Sequence, residues 1–217
     1  MGGQRFIGLL GGTFDPVHYG HLQPARAAKQ RLGFDELRLI PCKLPAHREQ
    51  PLANAEQRLH MLQLALQEFP ELSLDARELS RDGPSFSVDT LTSLRAEQPQ
   101  AIFCWILGLD AFLEFHLWRR WRRVMELAHL LVVRRPGYSV ELPVETADLL
   151  NRHRVETAAA MRDSQAGAIL LLELDAPDIS ATRIRRMLAG SESVEGLLPA
   201  AVCEWLTSHP VYLTQQP

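Results

Sequence analysis

"LLGGTFDPVHYGH", residues 9–21, ends an apolar run in two glycines and then presents Thr13, Asp15, His18 and His21 within nine positions. The run before it, "RFIGLLG" (5–11), predicts a strand, and a helix is expected to begin near Gly20-His21. In open α/β sheets, ligands bind beyond the carboxyl ends of strands, where this loop falls. Glycines there let the backbone approach a phosphate closely. The helix start offers unpaired N–H groups and the positive end of a dipole. The stretch is neither G-x-G-x-x-G nor G-x-x-x-x-G-K-[ST], so histidines stand where a P-loop places its lysine. A metal site lacks a third ligand near His18 and His21. A hydrolase centre lacks a G-x-S-x-G elbow. Asp15-Pro16 is a good turn signal, yet a plain turn does not account for two histidines flanking a helix start. Phosphate chemistry accounts best for the whole stretch.

Outward from this loop, short apolar runs alternate with amphipathic stretches. Strands are expected at 5–11, 36–42, 72–78, 101–107, 129–135 and 168–174. Several are apolar at nearly every position, as in strands buried on both faces of a parallel sheet. Helices are expected at 21–32, with Leu22, Ala25, Ala28 and Leu32 inward, Pro24 in the first turn and Gly33 as the stop. Asn54 and Gln57 have capping-box spacing ahead of a helix with Leu59, Leu62, Leu66 and Phe69 on one face. Further helices are expected at 119–128, 145–161 and in "PAAVCEWLTSH". The alternation predicts an α/β fold built on a doubly wound parallel sheet. The chain is read as a single domain, 1–217, with a helical insertion near 136–165.

Composition limits the function classes. The 217 residues are 46% hydrophobic and 23% charged, with a formal net charge of −3. That balance offers no general attraction to nucleic acid or an acidic membrane, so an anionic ligand needs local positive charge. No apolar stretch has the length of a membrane span, and no signal-peptide layout opens the chain. The three dispersed cysteines, Cys42, Cys104 and Cys203, lack C-x-x-C spacing. Together these predict a cytoplasmic protein with neither a disulfide framework nor a thiolate zinc site. Nothing in the pattern decides for or against a homo-oligomer.

A second element, "DISATRIRRML" (178–188), follows the last expected strand. Ser180 is a strong N-cap residue. Ile184 and Leu188 are expected to face the core, with Arg183 and Arg186 outward and Arg185 turned toward a bound anion. A serine-capped helix start carrying arginines suits a triphosphate.

"GGTFDPVHYGH" closely resembles the G-[ST]-F-D-P-x-H-x-G-H signature of the nucleotidyltransferase superfamily. "ISATRIR" resembles its I-S-x-T-x-I-R motif, with Ser180, Thr182 and Arg185 matching position by position. "DGPSFSVDTL" (82–91), "ILGLDAFLEFHLWRRW" (106–121) and "VVRRPGY" (132–138) resemble segments of bacterial nicotinate mononucleotide adenylyltransferases. The resemblance therefore covers most of the chain. It departs at Pro45-Ala46-His47, where many relatives have P-P-H, and at Cys42, where many have asparagine.

The resemblance implies a Rossmann-like fold and transfer of the adenylyl group of ATP to nicotinate mononucleotide, giving deamido-NAD and pyrophosphate. His18, His21 and Arg185 would be catalytic. Gly12, Thr13, Phe14, Gly20, Gly108, Asp110, Ile179, Ser180 and Thr182 would bind ATP, with Asp110 on the ribose. His47, Arg48 and Arg134 would neutralise the mononucleotide phosphate. Trp118 would stack on the nicotinate ring, and backbone N–H groups near Ser87 and Trp118 would hold its carboxylate. Mg²⁺ would be held mainly by ATP phosphates rather than by protein ligands. Two rivals remain at this point: nicotinamide mononucleotide as the acceptor, and a nucleotide-binding regulatory protein without catalysis.

Overall fold

The computed structural model describes residues 4–46, 50–137 and 140–213. Its seven strands form one sheet in the order β3-β2-β1-β4-β5-β7-β6. They are β1 (Phe6–Gly12), β2 (Glu36–Pro41), β3 (Ser73–Leu74), β4 (Ile102–Gly108), β5 (His129–Arg134), β6 (Arg154–Val155) and β7 (Ile169–Glu173). Parallel pairing runs Leu9↔Trp105, Trp105↔Leu130 and Leu130↔Ile169. The expected doubly wound α/β fold is the observed one. Strand order turns at the β1–β4 pair, the position at which such sheets place ligands.

By compactness the chain divides into two units, each assembled from three segments. The first comprises Met1–Gly11, Ala27–Arg38 and Phe86–Asp175. Its strands are buried almost throughout: Phe6, Ile7, Leu9, Phe103, Cys104, Leu130, Leu131 and Ile169 are in the core. Gly11 belongs here sterically, because a Cβ on it would lie 2.6 Å from the Trp105 ring. Helix α3 (Ser87–Glu97) lies outside the expected helices. Its Arg95 donates to the carbonyls of Ala101 and Leu127 at 2.6 and 2.8 Å. That holds the helix C-terminus to the start of β4.

The single helix expected at 145–161 is interrupted. The structure has α6 (Val144–His153), then β6, then α7 (Ala158–Met161). β-Branched Val155 pairs with Leu170 at the sheet edge, a position that suits its stiff side chain better than a helix does. Thr157 then caps a new helix by accepting the Ala160 N–H at 3.2 Å. So the region near 136–165 adds an edge strand as well as helix.

The second unit comprises Gly12–Arg26, Leu39–Ser85 and Ala176–Pro217. Helix α1 (Tyr19–Leu32) buries Leu22, Ala25, Ala28 and Leu32, as its spacing predicts. It starts earlier than expected, so Pro24 sits in the second turn rather than the first. The early start follows from His18, whose carbonyl accepts the N–H groups of His21 and Leu22. Helix α2 (Ala55–Ala65) has the expected capping box, with both Asn54–Gln57 bonds at 2.9 Å. Its buried face, however, is Arg58, Met61, Leu62 and Ala65. Leu59 and Leu66 are only half-buried, because an arginine takes a core position. β3 is shorter than expected: the Asp75 side chain accepts the Arg77 N–H at 3.2 Å, turning the chain out of the ladder. Helices α8 (Ala181–Ala189) and α9 (Ala200–Ser208) complete the unit. Helices α4 (Leu109–Leu113) and α5 (Trp121–Leu127) lie in the first unit. Among the described residues no helix is long and apolar enough to cross a membrane.

Candidate active site

The loop leaving β1 is built around small contacts that admit nothing larger than glycine. A Cβ at Gly12 would lie 2.9 Å from the Phe14 ring. At Gly20 it would meet His18 Nδ1 at 2.8 Å and the Ile179 carbonyl oxygen at 3.0 Å. The glycines of this loop thus serve its own packing as well as any close approach of a ligand. Phe14 has φ 52° and a fully buried ring. For a non-glycine residue that conformation costs on the order of 1 kcal/mol and persists only where packing enforces it.

His18 and His21 stack, with ring centroids 3.8 Å apart at 25°, and Phe14 meets His21 edge-on at 5.1 Å. His18 is 4% exposed, and its Nδ1 atom is buried without a hydrogen-bond partner. A buried polar atom of that kind points to a group the site is made to receive. The resembling motif at 179–185 is close by. Ser180 caps α8 by accepting the Arg183 N–H at 3.2 Å, and Ile184 is buried beneath it. Arg185 turns back toward the first loop, as expected. Its Nη1 donates to the Asp15 carbonyl at 2.8 Å, and its Nη2 donates to Thr182 Oγ1 at 3.3 Å.

Burial pushes the His18 imidazole down to about 4, so at neutral pH it is an uncharged hydrogen-bonding group. Because its pKa in the folded protein lies below the usual 6.5, the unfolded chain binds the extra proton first as pH falls. The stability His18 lends is complete above pH 6.5 and is lost between there and about pH 4. At about 1.36 kcal/mol per pH unit the full loss is on the order of 3 kcal/mol. Urea midpoints measured across this range should fall for the native chain and fall less steeply for His18→Gln, in which the buried His129 still titrates. An equal slope in both proteins would refute the assignment to His18.

In the first unit, Gly108 and Asp110 lie at the carboxyl end of β4, both exposed, with Gly108 preceding α4. Ser87 opens α3 and is half-buried. Trp118 follows a 3-10 turn, Phe115–Leu117, with its ring 5.3 Å from that of Phe115. Its own N–H donates to the Phe115 carbonyl at 3.0 Å, so that donor is engaged within the turn. Arg134 ends β5 and pairs with Glu173 of β7 at 2.7 Å. His47 and Arg48 lie outside the described residues.

Comparison with known proteins bears on this geometry. Residues 9–187 match the cytidylyltransferase-like family model. A "probable nicotinate-nucleotide adenylyltransferase" of Aeromonas salmonicida is 44% identical over 95% of this chain and 96% of its own. The protein of that name from Halorhodospira halophila is 48% identical over 91% of each. The chain belongs to the nicotinate-nucleotide adenylyltransferase family. The nicotinic acid mononucleotide adenylyltransferase of Plasmodium falciparum, solved with NaAD, shares the fold at a TM-score of 0.74 and 14% identity. That alignment covers 96% of this chain and 98% of the other.

Three residues of this adenylyltransferase were given no role by the sequence. The Asp15 carboxylate, 5% exposed, accepts the N–H groups of Leu52 and Ala53 at 2.9 and 3.1 Å and the Tyr212 hydroxyl at 2.7 Å. Arg58, 1% exposed, donates to four carbonyls: Cys42 at 2.7, Thr13 at 2.9, Lys43 at 3.1 and Ala53 at 3.2 Å. A buried residue at an N-cap-plus-four position gives no local signal. The only hint for Asp15 was its place inside the motif.

Proposed function

We propose that this chain, acting as one nucleotidyltransferase domain, transfers the adenylyl group of ATP to nicotinate mononucleotide. An oxygen of the mononucleotide phosphate attacks the α-phosphorus in line. The bond to the bridging oxygen breaks and pyrophosphate leaves, with no covalent intermediate on the enzyme. Reactants and products are anions, so catalysis is charge neutralisation and alignment. The observation that carries this reading is the stacking of His18 on His21, with the buried His18 Nδ1 left without a partner, beside an Arg185 anchored to the same loop.

His18 and His21 hold the ATP phosphates, and His21 stabilises charge developing at the α-phosphate. The Thr13-Phe14 backbone, between Gly12 and Gly20, contacts the transferring group. Arg185 and the start of α8 at Ile179, Ser180 and Thr182 hold the β- and γ-phosphates. Gly108 and Asp110 take the adenosine, with Asp110 on the ribose. Trp118 stacks on the nicotinate ring, and the start of α3 at Ser87 receives its carboxylate. His47, Arg48 and Arg134 neutralise the mononucleotide phosphate.

Among the described residues no group of three or more His, Cys, Asp or Glu side chains is arranged to hold a metal ion. The Asp15 carboxylate is already engaged by three donors. A Mg²⁺ ion would be held mainly by the ATP phosphates and water, and would supply neutralising charge to them.

Pyrophosphate release with ATP and Mg²⁺, offered nicotinate and nicotinamide mononucleotides in parallel, tests the acceptor. A strong preference for the nicotinate form is expected, because a site built for a carboxylate leaves its donors unpaired against the neutral amide. Equal use of both acceptors would remove the carboxylate site. Release with neither would overturn the reaction.

A further inference from the structure

Tyr212 lies beyond α9, near the end of the described chain, yet it is 2% exposed. Its hydroxyl donates to Asp15 Oδ1 at 2.7 Å. Burial and the adjoining carboxylate push the phenol up, so it keeps its proton and remains the donor. Two backbone N–H groups, from Leu52 and Ala53, complete the set around that carboxylate. The main-chain oxygen of the same residue accepts Arg185 Nη1 at 2.8 Å, and the guanidinium lies 4.0 Å from Oδ2. Arg185 is therefore fixed from two sides, by Thr182 within α8 and by Asp15. Asp15 is fixed in turn from a residue 197 positions away.

We propose that Tyr212 is a positioning residue for adenylyl transfer: it holds Asp15, and through the Asp15 carbonyl it holds the Arg185 guanidinium where the triphosphate is received. The proposal rests on the reading of Arg185 as a triphosphate ligand. The physical reason for such a strut is that a guanidinium on a long side chain has many rotamers, and only one directs its free N–H groups correctly. Loss of the phenol hydroxyl leaves a buried carboxylate oxygen short of a donor. The Asp15 segment then relaxes, and its carbonyl moves with it. A misplacement of about 1 Å can cost about 10²-fold in rate, so a smaller shift at one remove corresponds to about tenfold.

The test is a double-mutant cycle on the full chain: native, Tyr212→Phe, Arg185→Ala and the double variant. It measures kcat, KM for ATP, KM for nicotinate mononucleotide and melting temperature. Tyr212→Phe is expected to lower kcat about tenfold and raise KM for ATP, with KM for the mononucleotide changed less than about twofold. In the Arg185→Ala background it should have no further effect on kcat. Asp15→Asn, which keeps the side chain's shape, should show the same dependence on Arg185. A merely structural Tyr212 would lower the melting temperature and leave kcat per folded molecule intact. Any effect it did have on kcat would add in full to that of Arg185→Ala. Unchanged kcat in Tyr212→Phe, or full additivity, overturns the proposal while leaving Arg185 its role. An Arg185→Ala enzyme with native activity overturns the reading beneath the proposal, and the proposal with it.

Discussion

His21→Ala is expected to lower turnover in the pyrophosphate-release assay by about 10²–10³-fold, the range for losing one donor to transition-state charge. The melting temperature should move by only a few degrees. The separation follows from where the ring sits. His21 is half-exposed in the first turn of α1, lying against His18 and the edge of Phe14 rather than in the core. Its loss leaves the inward stripe of Leu22, Ala25 and Ala28 untouched. His18→Ala is a different experiment, because its buried ring supports the loop and its removal opens a cavity. Near-native turnover in His21→Ala, with a folded protein, would refute the role given to this histidine. His21→Asn, which retains a donor, should recover part of the loss.

Arg58→Met should destabilise the protein by about 3–5 kcal/mol, the usual consequence of removing one partner from a buried charged network. For a chain of this length that corresponds to a melting temperature lower by roughly 10 °C. Four carbonyls, those of Thr13, Cys42, Lys43 and Ala53, lose their donor together, and no thioether can replace it. Arg58→Lys should recover only part of the stability, because a single ammonium cannot reach acceptors spread around a planar fork. Thermal and urea melts decide the matter. A loss below about 1 kcal/mol would mean that those carbonyls find other partners.

The face of α2 illustrates what sequence patterning can and cannot reveal. Its capping box was legible because Asn54 and Gln57 are three positions apart and their interaction is local. Of its expected inward face, Leu62 and Phe69 are buried, but Arg58 is not legible there, because an arginine reads as polar whatever surrounds it. Whether Arg58 is buried depends on acceptors arriving from three other stretches of chain. Similarly, Pro24 was placed in the wrong turn because the carbonyl that starts α1 comes from His18, inside the loop. The interruption after His153 was missed because the edge of β7, not the local sequence, draws Val155 into a strand.

The sequence by itself determined the parallel α/β plan, the glycine-histidine loop after β1, the serine cap of α8 and the family to which the chain belongs. All of these rest on spacings of a few residues, within which geometry follows directly from the backbone period. Tertiary structure alone decided that Asp15 is a scaffold carboxylate, that Arg185 is held by its carbonyl, and that Tyr212 reaches the carboxylate of Asp15. It also decided that Arg58 joins four loop carbonyls and that Gly11 makes room for Trp105. These contacts link residues far apart in the chain, and many arrangements of such pairs share one local pattern. Only the packed fold, in which each buried donor and acceptor must find its partner, selects among them.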